Sequence, residues 1–128
     1  MKMTYTFTLA AILGFVAGGA TIHGLNAQTK PPVFSITEID VTDQEGYLKD
    51  YAPKATAALE AAGGKYLARG GKTYSFVGDQ PKRMVVLQWE NIDKFQAYRD
   101  SNAAKELAPI LQKYGKFQRS FAVEGLSR

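Results

Sequence analysis

At 128 residues the chain has the length of a single domain. Its 16 basic and 12 acidic residues leave a formal charge of +4, with 45% apolar and 22% charged residues. That composition is ordinary for a globular protein and excludes a disordered chain, a collagen-like fibre and a multi-span membrane protein.

Residues 1–27 read as an address. Lys2 opens a short polar start, the apolar run Leu9 to Ala20 follows, and Leu25-Asn26-Ala27 ends on a small residue. This is the pattern of a secretory signal, and a run broken by Gly14, Gly18 and Gly19 is short against the roughly 20 residues that span a bilayer. The expectation is cleavage after Ala27, a periplasmic or secreted product beginning at Gln28, and no membrane span once the signal is gone. The alternative is an uncleaved N-terminal anchor. The only histidine, His23, falls inside this segment, and the chain has no cysteine. The mature domain then has neither imidazole nor thiol. That excludes a Ser-His-Asp triad, a cysteine nucleophile, histidine-ligated haem and the usual zinc sets, and it implies no metal site and no cofactor. Basic residues are spread out, the densest spots being Lys82-Arg83 and Lys113/Lys116/Arg119, so no nucleic-acid footprint is expected.

After a linker over 28–32, Val33 to Val41 is rich in β-branched and aromatic residues and reads as the first strand. Thr42 with Glu45 has capping-box spacing, with Thr42 as N-cap. Leu48, Tyr51/Ala52, Ala55, Leu59 and Ala62 then mark an amphipathic helix, kinked or broken at Pro53 and ended by Gly63-Gly64. Lys65 to Arg69 predicts a second strand, with Thr73 to Val77 continuing it after a bend. Gly78 to Pro81 is a turn, and Arg83 to Trp89 is the clearest strand in the chain. Asn91 caps a helix carrying Phe95 and Tyr98. Ser101 caps another carrying Ala104, Leu107, Leu111 and Tyr114, bent at Pro109 and ended by Gly115. Phe117 to Glu124 alternates as a fourth strand, with Phe117, Arg119, Phe121 and Val123 on one side. The order is βαββαβ, an α+β ferredoxin-like arrangement with a four-stranded antiparallel sheet. Right-handed crossovers put both helices on one face. Strands one and three are apolar on both faces, so a second copy of the sheet is expected to cover the other face in a homodimer.

Gly63-Gly64-Lys65-Tyr66-Leu67-Ala68-Arg69-Gly70-Gly71, Pro81 to Leu87, Phe95…Tyr98…Ser101 and the closing Val123-Glu124-Gly125 together resemble the domain-of-unknown-function-1330 family. The resemblance covers residues 33–125, leaving 126–128 as a tail, and implies a dimeric α/β barrel; the family has no established activity. Relatives in the wider superfamily include cofactor-free monooxygenases, haem enzymes, isomerases and ligand-binding modules. Asn102-Ala103-Ala104 stand where the family often has Pro-Glu-Tyr, and no arginine marks Ile110 to Lys113.

Four residues are the candidate ligand-binding set. Arg69 and Arg83, on adjacent strands, could clamp a carboxylate or enolate oxygen; an ion pair to Glu38, Glu90 or Glu124 would equally account for them. Tyr51, one turn after Tyr47, and Trp89, near Phe95 and Tyr98, would wall a pocket between sheet and helices, or simply pack as core. Glu38 and Asp40 share a side of strand one and could do acid/base work, though solvated strand-end positions explain them as well. The expected function is binding of a small aromatic or acidic ligand. A cofactor-independent monooxygenase or isomerase acting on a phenolic or enolisable substrate is the alternative.

Overall fold

The computed structural model describes residues 30–126. The expected signal segment and the last two residues lie outside that range. Four strands form one antiparallel sheet in the order β2-β3-β1-β4: β1 Val33–Val41, β2 Lys65–Gly70, β3 Arg83–Trp89 and β4 Gly115–Glu124. Three helical segments join β1 to β2, namely α1 Gln44–Gly46, a π-helical turn Tyr47–Tyr51 and α2 Ala52–Ala61. Helices α3 Ile92–Asp100 and α4 Asn102–Gln112 join β3 to β4. This is the ferredoxin-like α+β fold.

Most local signals act where the sequence places them. Asn91 accepts from the Lys94 amide at 3.1 Å and Ser101 accepts from the Ala104 amide at 3.2 Å, each satisfying a donor that its helix leaves open. Gly63, at φ 102°, takes the left-handed conformation that ends α2.

Four expectations are corrected. The N-cap of the first helix is Asp43, whose Oδ1 accepts from the Gly46 amide at 3.0 Å. The amides of Thr42 and Asp43 both donate to the Tyr114 carbonyl, which holds the chain extended one residue longer than the capping-box spacing implies. Pro53 neither breaks nor ends the helix. It has no amide hydrogen to close a turn on Lys49, and the preceding Ala52 donates to the Tyr47 carbonyl five residues back, so a wide turn absorbs the defect. Residues Thr73 to Val77 are not strand. β2 ends at Gly70, at φ 142°, and Thr73 and Gln80 close the following loop through Thr73 Oγ1 to the Pro81 carbonyl and Gln80 Nε2 to the Thr73 carbonyl. Gly115 opens β4 instead of ending a helix. A Cβ there would sit 2.5 Å from the Asp40 carbonyl oxygen, so glycine allows β4 to close on β1.

The helices cover the face carrying Val33, Ser35, Ile39, Val85, Leu87 and Trp89, all buried. Trp89, 1% exposed, donates from Nε1 to Ser35 Oγ at 2.9 Å and packs against Phe95 and Tyr98 at ring separations of 5.3 and 5.7 Å. The other face carries Phe34, Ile36, Met84 and Val86, with Phe121 and Val123 in register beside Ile36 and Phe34. Both β4 residues on that face remain half exposed, and no element of the described domain covers them. A bulge where β4 meets Glu38/Ile39 moves Phe117 opposite Ile39, onto the helix face, away from the Phe121 side that simple alternation predicts.

Because Trp89 joins β3, β1 and α3 in one cluster, Trp89→Ala is expected to lower stability by about 3–5 kcal/mol. Urea denaturation followed by far-UV circular dichroism measures it, and a loss below 1 kcal/mol contradicts a central role for the indole.

Candidate functional site

The layer between sheet and helices is not fully packed. A cleft of about 260 Å³ runs between the strands and the helical layer, with a floor formed by Ser35, Thr37, Ile39, Val85 and Leu87. Its walls come from the π turn and α2 on one side and from α3 and α4 on the other. Leu107 and Leu111 of α4 are buried along it, whereas Arg99, Ala108, Phe117 and Ser120 are exposed at its mouth.

Four tyrosines line this cleft: Tyr47, Tyr51, Tyr66 and Tyr98. The wide turn delivers two of them, with the Tyr47 and Tyr51 rings 5.1 Å apart. Among the described residues, no protein group hydrogen-bonds the hydroxyls of Tyr51, Tyr66 or Tyr98. Burial pushes the phenols of Tyr47, Tyr51 and Tyr98 above the ordinary tyrosine range, most strongly for Tyr51. These groups stay neutral at physiological pH and act as hydrogen-bond donors or acceptors, not as phenolate bases. No aspartate or glutamate lines the cleft, and Arg99 is the charged side chain on its wall.

The structure separates the four predicted site residues. Tyr51 lies in the cleft wall, 7% exposed. Trp89 is not a pocket wall; it is sealed behind Ser35 and Phe95 in the core. Arg69 and Arg83 do not line the cleft. Arg69 stacks 4.6 Å from the Tyr66 ring centre and donates from Nη1 to Thr56 Oγ1 at 2.8 Å. Arg83 stacks 4.9 Å from the Tyr47 ring centre. Both charges act on the Tyr47 phenol, opposing the upward push of burial. Neither arginine has a carboxylate partner among the described residues. Glu38 pairs with Arg119 at 3.2 Å and Asp40 with Lys82 at 2.7 Å, both turned to the open sheet face. The Lys82 ammonium holds the Asp40 carboxyl below its usual range. Glu38 and Asp40 therefore form two separate ion pairs and no acid/base pair. Sequence reasoning missed Tyr66, Arg99 and the Thr37–Ser120 hydroxyl pair, 3.1 Å apart, as cleft residues. The β-strand periods of Tyr66 and Thr37 carried a signal for the helix face; nothing in the sequence marked Arg99. Among the described residues there is no cluster able to hold a metal ion and no helix long and apolar enough to cross a membrane.

A ferredoxin-like domain with a tyrosine-lined cleft between its layers is thus the class that fold and site define. The chain belongs to the DUF1330 family, a domain of unknown function, whose model matches residues 32–126. No curated protein matches its sequence. Among solved structures it is similar to RPA0582, a protein of unknown function from Rhodopseudomonas palustris, with a TM-score of 0.62, 14% identity and coverage of 77% of this chain and 85% of that one. It is also similar to SnoaB, a cofactor-independent oxygenase from Streptomyces nogalater, with a TM-score of 0.54, 10% identity and coverage of 77% and 96%. An EthD-like protein from Ralstonia eutropha matches with a TM-score of 0.53, 13% identity and coverage of 74% and 92%. At these identities the likeness is one of fold.

The raised phenols have a pH consequence. A tyrosine that ionises later when folded than when unfolded stabilises the fold fully below the unfolded value of about 10, and that stability is lost as pH climbs above it. Base-induced unfolding is therefore expected above about pH 10, with Tyr51→Phe keeping its structure to higher pH than the parent. Circular dichroism with phenolate absorbance at alkaline pH reads both, and an unchanged alkaline midpoint in Tyr51→Phe contradicts the assignment.

Proposed function

We propose that the cleft binds a small planar, largely apolar ligand bearing an oxygen acceptor, such as an aromatic carbonyl compound or acid. The observation that carries this reading is a set of unpartnered tyrosine hydroxyls facing an apolar space with no carboxylate on its wall. These hydroxyls have no protein partner yet are not sealed from solvent, so a ligand oxygen in the cleft would take over the hydrogen bonds they make to water. The apolar floor and the leucines of α4 suit a ring, and the arginines behind Tyr47 and Tyr66 make that end electropositive, which favours an acidic ligand. Differential scanning fluorimetry against a panel of small aromatic acids, ketones and phenols tests it. At least one compound is expected to raise Tm by several degrees in the parent and by less than a third of that in Ala104→Phe, which fills the cleft. Equal shifts in both proteins, or none in either, overturn the reading.

A cofactor-independent oxygenase is the second reading, favoured by the fold shared with SnoaB. Such chemistry needs a group that removes a proton from the substrate, and the cleft wall offers neutral phenols and an arginine in place of a carboxylate or imidazole. Oxygen uptake with the compounds that bind decides between the two: consumption lost in Ala104→Phe favours the enzyme, and its absence favours the binding module.

We further propose that the open sheet face is covered by a second copy of the chain. Phe34, Ile36, Met84, Val86, Phe121 and Val123 form a contiguous apolar surface flanked by the Glu38–Arg119 and Asp40–Lys82 pairs. An apolar centre with a polar rim is the anatomy of a lasting interface, and a two-fold pairing of identical faces is self-complementary by construction. Sedimentation at micromolar concentration is expected to show a dimer that Phe121→Lys dissociates. A monomeric parent overturns this proposal and leaves the cleft reading standing.

A further inference from the structure

We propose that a second, smaller pocket, at the end of the sheet where β3 begins, is a binding site for a small carboxylate anion. It has a volume of about 250 Å³ and is bounded by Val41, Gln44, Tyr47, Gly71, Lys82 and Arg83. Tyr47 is the one residue it shares with the cleft, and the proposal does not rest on what the cleft binds.

The central observation is the state of Arg83. Its side chain is half-buried on the helix face, and its Nε is sealed from solvent with no acceptor. No carboxylate of the described residues pairs with it. Of the carboxylates on the neighbouring strand β1, Glu38 is engaged by Arg119 and Asp40 by Lys82. A partly desolvated cation without a counter-ion is an unfavourable arrangement that an anion from solution would relieve. The Tyr47 ring centre lies 4.9 Å from the guanidinium carbon, and Arg83 borders the pocket, so the solvent-reached part of this half-buried side chain is available to an anion there. An in-plane guanidinium edge matches the two oxygens of a carboxylate. The Gln44 side chain, on the exposed first turn of α1, adds a polar group on the opposite wall. Because the Lys82 ammonium is already matched by Asp40 at 2.7 Å, the pocket holds a single unmatched positive charge, which suits a monoanion better than a phosphate dianion. Gly71 keeps the wall thin: a Cβ there would stand 3.0 Å from the Lys82 carbonyl oxygen.

The test is amide NMR of the purified protein titrated with sodium acetate, with sodium chloride and sodium phosphate at matched ionic strength as parallel arms. Acetate is expected to produce saturating shifts at Gln44, Tyr47, Gly71 and Arg83, weakened at least tenfold in Arg83→Gln and several-fold in Gln44→Ala, whose exposed position makes it safe for folding. Acetate shifts that are absent, that are scattered over surface lysines, or that persist unchanged in a folded variant overturn the site. Equal response to chloride reduces it to general screening, and an equal or stronger response to phosphate overturns the carboxylate class. A failure here leaves the aromatic-ligand result in Ala104→Phe untouched, and the reverse also holds.

Discussion

Both helical connections must lie on the same side of the sheet, and every other feature of this domain follows from that. A right-handed crossover from β1 to β2 and another from β3 to β4 leave no choice of side. One layer therefore has to hold the buried half of every strand, the apolar stripes of α2, α3 and α4, and whatever space remains between them. The Trp89 indole, donating to Ser35 and wedged against Phe95 and Tyr98, fills one end of this layer. At the other end the filling is by tyrosines, whose hydroxyls keep the space from closing as tightly as aliphatic side chains would. Core and cleft are two states of packing of one interior.

The electrostatics of that interior are lopsided. Tyr47, Tyr51 and Tyr98 are phenols raised by burial, Arg83 and Arg69 lie against the Tyr47 and Tyr66 rings, and the β1 carboxylates Glu38 and Asp40 sit on the opposite face, each with its own cation. Such a distribution holds protons in place and attracts negative charge. It suits recognition of oxygen acceptors, and it does not supply the proton-removing group on which most base-initiated chemistry depends.

The parts of this structure legible in the sequence were those set by near neighbours. Asn91 and Ser101 cap helices because a short polar side chain reaches an amide three residues on, whatever the rest of the fold does. Arg83 to Trp89 declared itself as a strand by β-branched content alone. Tyr51 was legible as a cleft residue because helical spacing placed it toward the sheet. Trp89 was misread: its size suggested a pocket wall, but whether a large aromatic borders a space or fills it depends on the residue across from it, here Ser35, which is 54 positions away. The arginines were placed on the correct strands, but the contact of Arg83 with Tyr47 joins different elements, and that of Arg69 with Tyr66 spans a bulge in β2, so neither has a local signature.

By itself the sequence determined the element order, the caps at Asn91 and Ser101, the absence of cysteine, and the two-faced apolarity of β1 and β3, since each depends on residue type and short-range spacing. Only the tertiary structure decided the rest. The Tyr114 carbonyl moved the first cap to Asp43, and a wide turn absorbed Pro53. A bulge sent Phe117 to the helix side, and Glu38 and Asp40 pair with Arg119 and Lys82 while Arg69 and Arg83 have no carboxylate partner among the described residues. Each of these is a competition between groups distant in the chain for the same hydrogen bond, charge or volume. Such a competition is resolved only when the fold brings the rivals together.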